Sequence, residues 1–298
     1  MPVEKLREQA TRLEAALSVG VATPTIKAVH ELRSSTRRVE AQIDLLSKVK
    51  GLPRYKSAAR KVRRRLEKLR RVAGKVRDCD VQRKLLKDDD HTMTTAAEAP
   101  AGLESVQQQL RQKLADMRKR REEKLVAVVR RQLPRLARDT EALLAALKPV
   151  NELEVNVDDL LTAIERQMRR LLRSRERGEE HLHDLRKAAK RGRYQCEAMP
   201  GPAAAAMATR LEQLQDAGGR WHDLLDLATT CHEELGAEHP LSRVVEHLRD
   251  ERLDAYLANL EDFRGRHAHR SAATKRKAPQ RAVVANEAEE TGAQRTVG

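Results

Sequence analysis

Two distant segments of the chain carry a histidine, an arginine and further basic residues at the same spacing. The first is VHELRSSTRR (residues 29–38) and the second is LHDLRKAAKR (residues 182–191). In each segment an arginine lies three positions after the histidine, and basic residues lie seven and eight positions after the histidine. These residues are His30, Arg33, Arg37 and Arg38 in the first segment and His183, Arg186, Lys190 and Arg191 in the second. This repeat predicts that the two halves of the chain adopt the same local structure.

Aliphatic residues at helical spacing run through both halves. Hydrophobic residues make up 40% of the chain and aromatic residues only 2%, so Leu, Val and Ala must build the core. Such a composition favours packed helices, because strands prefer β-branched and aromatic residues. We find no strand-like alternation. The sequence therefore predicts an all-α fold with a duplicated helical half, the first about 3–148 and the second about 157–265.

Several segments are predicted to interrupt or end these helices. The polar stretch 88–102 is predicted to be an exposed loop, and Pro134 is predicted to break or kink a helix that starts near residue 103. A further boundary is expected between helices at 203–217 and 219–236. Residues 267–298 contain no aromatic residue and no Leu, so we expect this tail to be disordered.

A second repeated feature follows each basic segment. GKVRDCDV (74–81) and GGRWHDLL (218–225) both place a glycine four residues before an aspartate, Gly74 with Asp78 and Gly219 with Asp223. We predict that each glycine ends one helix and that each aspartate lies near the start of the next. There the aspartate would cap the helix or orient a basic side chain, and Asp80 has the same two options. The predicted role of these acids is structural.

The net charge of the chain limits the kind of partner it can have. Sixty Lys and Arg against forty-five Asp and Glu give a formal charge of +15, which indicates a polyanionic partner such as nucleic acid, anionic lipid or polyphosphate. Three widely separated cysteines without a CxxC pair favour a reducing compartment. The sequence shows no apolar run of signal-peptide or membrane-span type. We therefore expect a cytoplasmic protein with no membrane contact.

The two basic segments each form a stripe when they are placed on a helix. At about 100° per residue, His30, Arg33 and Arg37 fall within about 60° of one another, and the second stripe is equivalent. Further groups adjoin the stripes: Lys27 and Arg38 in the first copy, and Lys187, Arg193 and Tyr194 in the second. A solvated face would explain one stripe, but two matching stripes favour a shared anion. Arginine offers a planar fork of donors that matches phosphate oxygens, and histidine adds a donor whose charge depends on pH near neutrality.

Metal binding and catalysis are the alternatives for the two histidines. Neither has a second His or Cys at i+4, nor an obvious Ser or Cys nucleophile beside it. We therefore predict no metal site and no catalytic residue.

The most basic part of the chain lies between the two repeated features of the first half. Within residues 54–77, twelve of twenty-four residues are Lys or Arg, and Glu67 is the only acid. This excess is larger than solubility requires. We predict that the cations of this helix face a polyanion, namely Arg60, Arg63, Arg64, Lys68, Arg71, Lys75 and Arg77.

These motifs together resemble a known family. VHELRSSTRR, VRDCDV, HLHDLRKAAKRGRYQCE and the Gly219/Asp223 element are similar to the CHAD domain, the conserved histidine α-helical domain, over roughly residues 5–265. The resemblance implies one domain over residues 1–266, built from two pseudo-symmetric four-helix bundles that form one compact unit with a central basic groove. It also implies binding of inorganic polyphosphate and targeting to polyphosphate granules. The first copy departs from the family at Glu40, where a basic residue is more common and where the second copy has Arg193.

Four functions remain open at this point. We favour non-enzymatic binding of inorganic polyphosphate without a cofactor, because the chain has just five aromatic residues, whereas single-stranded nucleic-acid binders usually stack bases on such rings. The main alternative is an RNA- or DNA-binding protein that reads only the backbone, and other polyanions stay open as partners. An enzyme acting on phosphate is not expected, because the sequence lacks a Gly-rich phosphate loop, a metal-binding carboxylate cluster and a recognisable nucleophile. A helical scaffold with an incidental basic face is the fourth.

Overall fold

The computed structural model describes the backbone of residues 2–87, 103–148, 156–174 and 178–277. These residues form helices and connecting turns, with no strand among them, and the predicted all-α class is confirmed. The helices are α1 (Pro2–Ala22), α2 (Ile26–Leu46), α3 (Lys56–Leu85), α4 (Leu103–Ala146), α5 (Val157–Leu172), α6 (Glu179–Cys196), α7 (Pro202–Leu235) and α8 (Pro240–Lys277). The predicted loop at 88–102 and residues 278–298 of the predicted tail lie outside the described residues.

The first four helices enclose one aliphatic core. On α2, the face opposite the basic stripe carries Leu32, Val39, Ile43 and Leu46, each at most 1% exposed. They pack against α1, α3 and α4 within one cluster. Burial of each large aliphatic side chain stabilises the fold by about 1.5–3 kcal/mol. Thr25 caps the start of α2 by accepting a hydrogen bond from the Ala28 amide at 3.2 Å. The inner face of α2 thus fixes which way its basic stripe points.

Helices α5 to α8 enclose a second core that also contains Trp221, Tyr256 and Phe263. Trp221 of α7 stacks on Tyr256 of α8, with ring centroids 5.9 Å apart. On α6, the small back residues allow the predicted close approach: a Cβ at Gly192 would lie 2.9 Å from Leu211 of α7. Leu45 of α2 belongs to this second core as well. The two sets of helices are therefore packed directly against each other where α2 meets α6.

A third apolar cluster joins the two sets at a second place. It combines Leu86 after α3 and Leu114 on α4 with Leu227 of α7 and Val245 of α8. The helix pairs in contact also follow the same order in each set, first with second, second with third and third with fourth. This order agrees with the predicted duplication, while the pseudo-two-fold relation of the halves stays a prediction.

Three predicted helix boundaries are wrong. Pro134 lies inside α4, where its ring is exposed, so the helix loses one amide donor but no packing. Gly218 and Gly219 lie inside α7, and Gly74 lies inside α3. Gly218 is needed for contact with α8, because a Cβ there would lie 2.8 Å from the Tyr256 ring. The separate prediction of a disordered tail is wrong for residues 267–277, because α8 continues to Lys277.

Two further findings concern the whole described chain. Cys79, Cys196 and Cys231 are buried free thiols. Among the described residues, no helix is long and apolar enough to cross a membrane.

Candidate functional site

A groove between the two sets of helices brings both basic stripes together. It has a volume of about 1520 Å³, including space open to solvent. Helices α2, α3, α6 and α7 all contribute to it. The lining from α2 and α6 is His30, Arg33, Ser34, Arg37, His183, Arg186, Lys190 and Tyr194, and that from α3 and α7 is Arg77, Asp78, Val81, Gln215, Asp216, Gly219, Arg220, His222, Asp223 and Asp226.

Arg37 and Lys190 are groove cations for which the described residues supply no ion-paired acid. Burial and, after it, the neighbouring charges of Arg37, Arg186, Arg33 and Arg193 together lower the pKa of Lys190 to about 7. Burial and the charges of Arg33, Arg70 and Arg186 likewise lower the pKa of Arg37 to about 10. In the part of the chain that the structure describes, neither side chain forms an ion pair with an acid. An anion in the groove would relieve this repulsion.

The two histidines lie in the groove as neutral rings. Burial and, after it, the charge of His222, whose ring centroid is 4.6 Å away, lower the pKa of His183 to about 4. The pKa of His30 is also lowered, first by burial and then by Arg77 and Lys190. The pKa of His183 thus lies well below neutral pH, and that of His30 is shifted in the same direction. As neutral imidazoles they offer one donor and one acceptor each.

The two repeated aspartates hold groove arginines rather than cap helices. Asp78 lies in the middle of α3 and accepts a hydrogen bond from Nη1 of Arg33 at 3.3 Å. Asp223 lies in the middle of α7, where its charge supports Arg186 and Arg77. Burial raises the pKa of both carboxyl groups, and their arginine neighbours lower it. Of the two predicted options, capping is wrong and orientation of a basic side chain fits the geometry.

Asp80 lies outside the groove and connects helices of the first set. Its side chain is 1% exposed and pairs with Arg118 of α4 at 2.6 Å. The same guanidinium donates to the Pro24 carbonyl at 2.8 Å. Asp80 therefore links α3 to α4 and to the turn before α2.

The cations of α3 divide into two sets. Arg63, Arg70 and Arg77 follow one another at seven-residue spacing and face the α2–α6 side: Arg77 lines the groove, and Arg63 pairs with Asp44 of α2 at 2.5 Å. The other predicted cations lie on the exposed outer face of α3 and do not line the groove. They are Arg60, Arg64, Lys68, Arg71 and Lys75.

The cations flanking the second stripe are mostly paired with acids. Lys187 pairs with Asp184 at 2.6 Å, and Arg191 pairs with Asp44 at 3.3 Å. Arg193 forms ion pairs with Glu197 and Glu212.

The flanking groups of the first stripe lie beside Tyr194. Arg38 lies 3.7 Å from Glu197. The guanidinium groups of Arg38 and Arg193 lie 5.2 and 4.7 Å from the centre of the Tyr194 ring, which is buried. Lys27, near the start of α2, is exposed and does not line the groove.

A second, smaller cavity of about 530 Å³ adjoins the groove. It shares Arg37, Lys190 and Tyr194 with the groove and adds residues of α2, α3 and α6. The added residues are Glu40, Ala41, Arg70, Lys187 and Arg191. Arg70 donates a hydrogen bond to Glu40 across this cavity.

Some lining residues were missed by the sequence prediction. They are Arg70, Ser34, Val81, Gln215, Asp216, Gly219, Arg220, His222 and Asp226. His222 was within reach of sequence reasoning, since it directly precedes Asp223 just as Arg77 directly precedes Asp78. The described residues include no group of three or more His, Cys, Asp or Glu that could hold a metal ion.

The fold and the groove define an all-α protein whose two sets of helices meet at a basic cleft. The CHAD domain family model matches residues 4–232, so this chain belongs to the CHAD domain family, as the motifs predicted.

Two solved structures share the fold. PptA from Streptomyces chartreusis superposes with a TM-score of 0.63 at 17% identity, over 89% of this chain and 96% of that one. The CHAD domain from the plant Ricinus communis gives a TM-score of 0.53 at 21% identity, over 87% and 90%. No curated protein matches the sequence.

Proposed function

We propose that this protein binds inorganic polyphosphate in the groove and catalyses no reaction on it. The proposal rests on one observation. Arg37 and Lys190, from the two repeated helices, line the same groove, and neither forms an ion pair with an acid of the described residues. Membership of the CHAD domain family supports the same ligand through the resemblance described above. Binding of this kind would place the protein in the cytoplasm, on polyphosphate granules.

The groove offers donors suited to a linear chain of phosphates. Each arginine has five N–H donors in a rigid fork, so an arginine held by an aspartate on one edge keeps other donors for phosphate oxygens. Arg33 is such a residue, held by Asp78, and Arg186 lies beside Asp223. His30 and His183 add neutral donors between the arginines. Affinity would arise from these pairs and from counterion release, so it should fall steeply with salt.

Nucleic-acid binding is the alternative, and the position of the aromatic residues weighs against it. All five aromatic side chains of the sequence are buried: Tyr55, Tyr194, Trp221, Tyr256 and Phe263 are between 0 and 5% exposed. Base stacking contributes about 1–3 kcal/mol per base in proteins that bind single strands. A groove without an exposed ring forgoes that contribution and suits a polyanion that has no bases.

A titration that compares two ligands tests the proposal. Fluorescently labelled long-chain polyphosphate and single-stranded RNA with the same number of phosphates would be titrated with the protein at two salt concentrations. We expect tighter binding of polyphosphate. Replacing four groove cations by glutamine should remove most of the binding: Arg33, Arg37, Arg186 and Lys190.

The matched control removes the same charge from the α1–α4 side, away from the groove. It replaces Arg7, Arg12, Arg135 and Arg138 by glutamine and should keep most of the affinity. Equal affinity for RNA and polyphosphate, or equal binding by the two quadruple variants, would refute the proposal.

A further inference from the structure

The second cavity adjoins the basic groove and has a carboxylate in its lining. Arg37 and Lys190 stand between the two spaces and line both. Beyond them the cavity is bordered by Arg70, Lys187 and Arg191, and Glu40 is the acid among its lining residues. The cations alone would make this space a direct extension of the anion-binding surface.

The carboxylate of Glu40 forms an ion pair with Arg70, the α3 arginine that such an extension would use. Glu40 follows Arg37 by one turn of α2, and its Oε2 accepts a hydrogen bond from Nη1 of Arg70 on α3. Both side chains are 25% exposed, so the pair is open to the cavity rather than sealed in the core. One edge of the Arg70 fork is engaged by this carboxylate, and the negative charge of Glu40 beside the remaining donors repels a phosphate there. The arginine that would extend the binding surface is therefore neutralised by an acid that lines the same cavity.

The other cations of the cavity do not offset this effect. Lys187 is paired with Asp184, and Arg191 is paired with Asp44. The acids of those two pairs lie outside the lining of the cavity, whereas Glu40 lies within it. A phosphate chain that passed Arg37 and Lys190 would enter a cavity that Glu40 borders with a like charge.

Comparison of the two repeated helices shows that the carboxylate belongs to one copy only. Aligning His30 with His183 places Glu40 against Arg193. Arg193 turns toward Tyr194, Glu197 and Glu212 and does not line the cavity. The charge at this position is thus opposite in the two copies, and the negative one lines the same cavity as Arg37 and Lys190, which form no ion pair with an acid of the described residues.

We propose that Glu40 determines how far a phosphate chain extends along this protein. Its ion pair with Arg70 ends the binding surface at Arg37 and Lys190, and the second cavity is left without ligand. A long polyphosphate chain leaves the protein at this point. This inference rests on the proposed polyphosphate binding and adds the residue that limits the length of the bound segment.

Removal of the charge at Glu40 tests the inference. In Glu40→Gln, Arg70 becomes available and the repulsion disappears, so affinity for long-chain polyphosphate should rise about tenfold. The dependence of log affinity on log salt should steepen by about 0.7 for each additional phosphate neutralised. Labelled polyphosphate titrated at several salt concentrations measures both quantities.

Two comparisons isolate the cause of the gain. Glu14→Gln removes the same charge from the cavity between α1 and α4 and should leave both quantities near the wild-type values. Arg70→Gln in the Glu40→Gln background should abolish the gain, because the freed arginine supplies it. Thermal unfolding of each variant checks that the helices remain folded.

The possible outcomes separate this inference from the proposed function. If the wild type binds polyphosphate and Glu40→Gln binds no better, or if the gain persists without Arg70, the role of Glu40 is refuted and the groove remains the binding site. If neither the wild type nor Glu40→Gln binds, both proposals are overturned.

Discussion

Arg33 of α2 donates a hydrogen bond to Asp78 of α3 at 3.3 Å, and this pair lies at the wall of the groove. In the second set of helices, Asp223 of α7 lines the groove with Arg186 of α6, and its charge favours the protonated form of that arginine. In both cases the acid comes from the helix that follows the basic stripe. An arginine held by a hydrogen bond, as Arg33 is, has little conformational freedom left to lose when a ligand binds. The aspartates thus reduce the net charge of the groove while they hold its arginines in place.

Because the two stripes face one groove, removal of either should weaken polyphosphate binding. We expect Arg33→Gln/Arg37→Gln and Arg186→Gln/Lys190→Gln each to lower the affinity by about tenfold or more, as two charge-assisted contacts are lost in each case. Titration of labelled polyphosphate at one fixed salt concentration measures the effect. Full affinity in either double variant would show that only one stripe contacts the ligand.

Asp80 should matter for stability and leave the groove unchanged. Its carboxylate is buried against Arg118, which also pairs with Glu122, so removal of the Asp80 charge leaves a largely buried guanidinium with one acid partner in place of two. We expect Asp80→Asn to lower the free energy of unfolding by about 3 kcal/mol, measured by chemical denaturation. The comparison variant is Asp184→Asn, whose pair with Lys187 is about half exposed and should contribute less than about 1 kcal/mol. Similar losses in the two variants would contradict the structural role of Asp80.

The helices themselves were predictable from the sequence, but three of their boundaries were not. Periodic aliphatic residues identify the buried face of each helix, as Leu32, Val39 and Ile43 do on α2. Pro134 and Gly218 are local signals for a break, and tertiary structure overrides both. The proline ring of Pro134 points to solvent, where water can serve the carbonyl that lost its partner. Gly218 is required because a Cβ at this position would overlap the ring of Tyr256 on α8. The sequence of α7 alone cannot reveal this contact.

The candidate site was predictable where two copies of one motif could be compared. His30 and Arg33 have counterparts at His183 and Arg186, and the structure brings both pairs to one groove. No such comparison was available for the dense cations of α3. Which of them face the groove depends on how α3 is rotated against α2 and α7, and the sequence alone does not specify that rotation. Arg70 was missed, and the outer set from Arg60 to Lys75 was assigned to the ligand surface for this reason.

Gly218 and Gly74 offer a test of close helix packing. A Cβ at Gly218 would meet the Tyr256 ring, which is held by Trp221 and by a hydrogen bond to the Leu182 carbonyl. We expect Gly218→Ala to destabilise the protein by about 1–3 kcal/mol through overpacking. Gly74→Ala meets no atom within 4 Å and should stabilise α3 by about 0.5–1 kcal/mol, since alanine is the better helix former. Thermal unfolding distinguishes the two, and equal effects would argue against a tight α7–α8 contact.

Lys190 makes the groove sensitive to pH in two opposite ways. Its pKa is lowered to about 7 by burial and by the positive charges of Arg37, Arg186, Arg33 and Arg193, whereas in an unfolded chain it would be about 10.4. Between these values the unfolded chain binds a proton that the folded protein lacks. The contribution of Lys190 to the free energy of unfolding therefore rises as the pH increases from about 7 to about 10.

Polyphosphate binding should follow the reverse trend. A bound phosphate favours protonated Lys190 and raises its pKa, so binding above about pH 7 takes up a proton, and affinity should fall by up to about tenfold per pH unit. Titration calorimetry in two buffers of different ionisation enthalpy measures this proton uptake directly. Long polyphosphate chains are used because only the terminal phosphates titrate in this range, and long chains have few of them per bound phosphate. Lys190→Arg retains its charge across this range, so its affinity should be almost independent of pH and its proton uptake close to zero. The same pH dependence in the wild type and in Lys190→Arg would mean that another group takes up the proton.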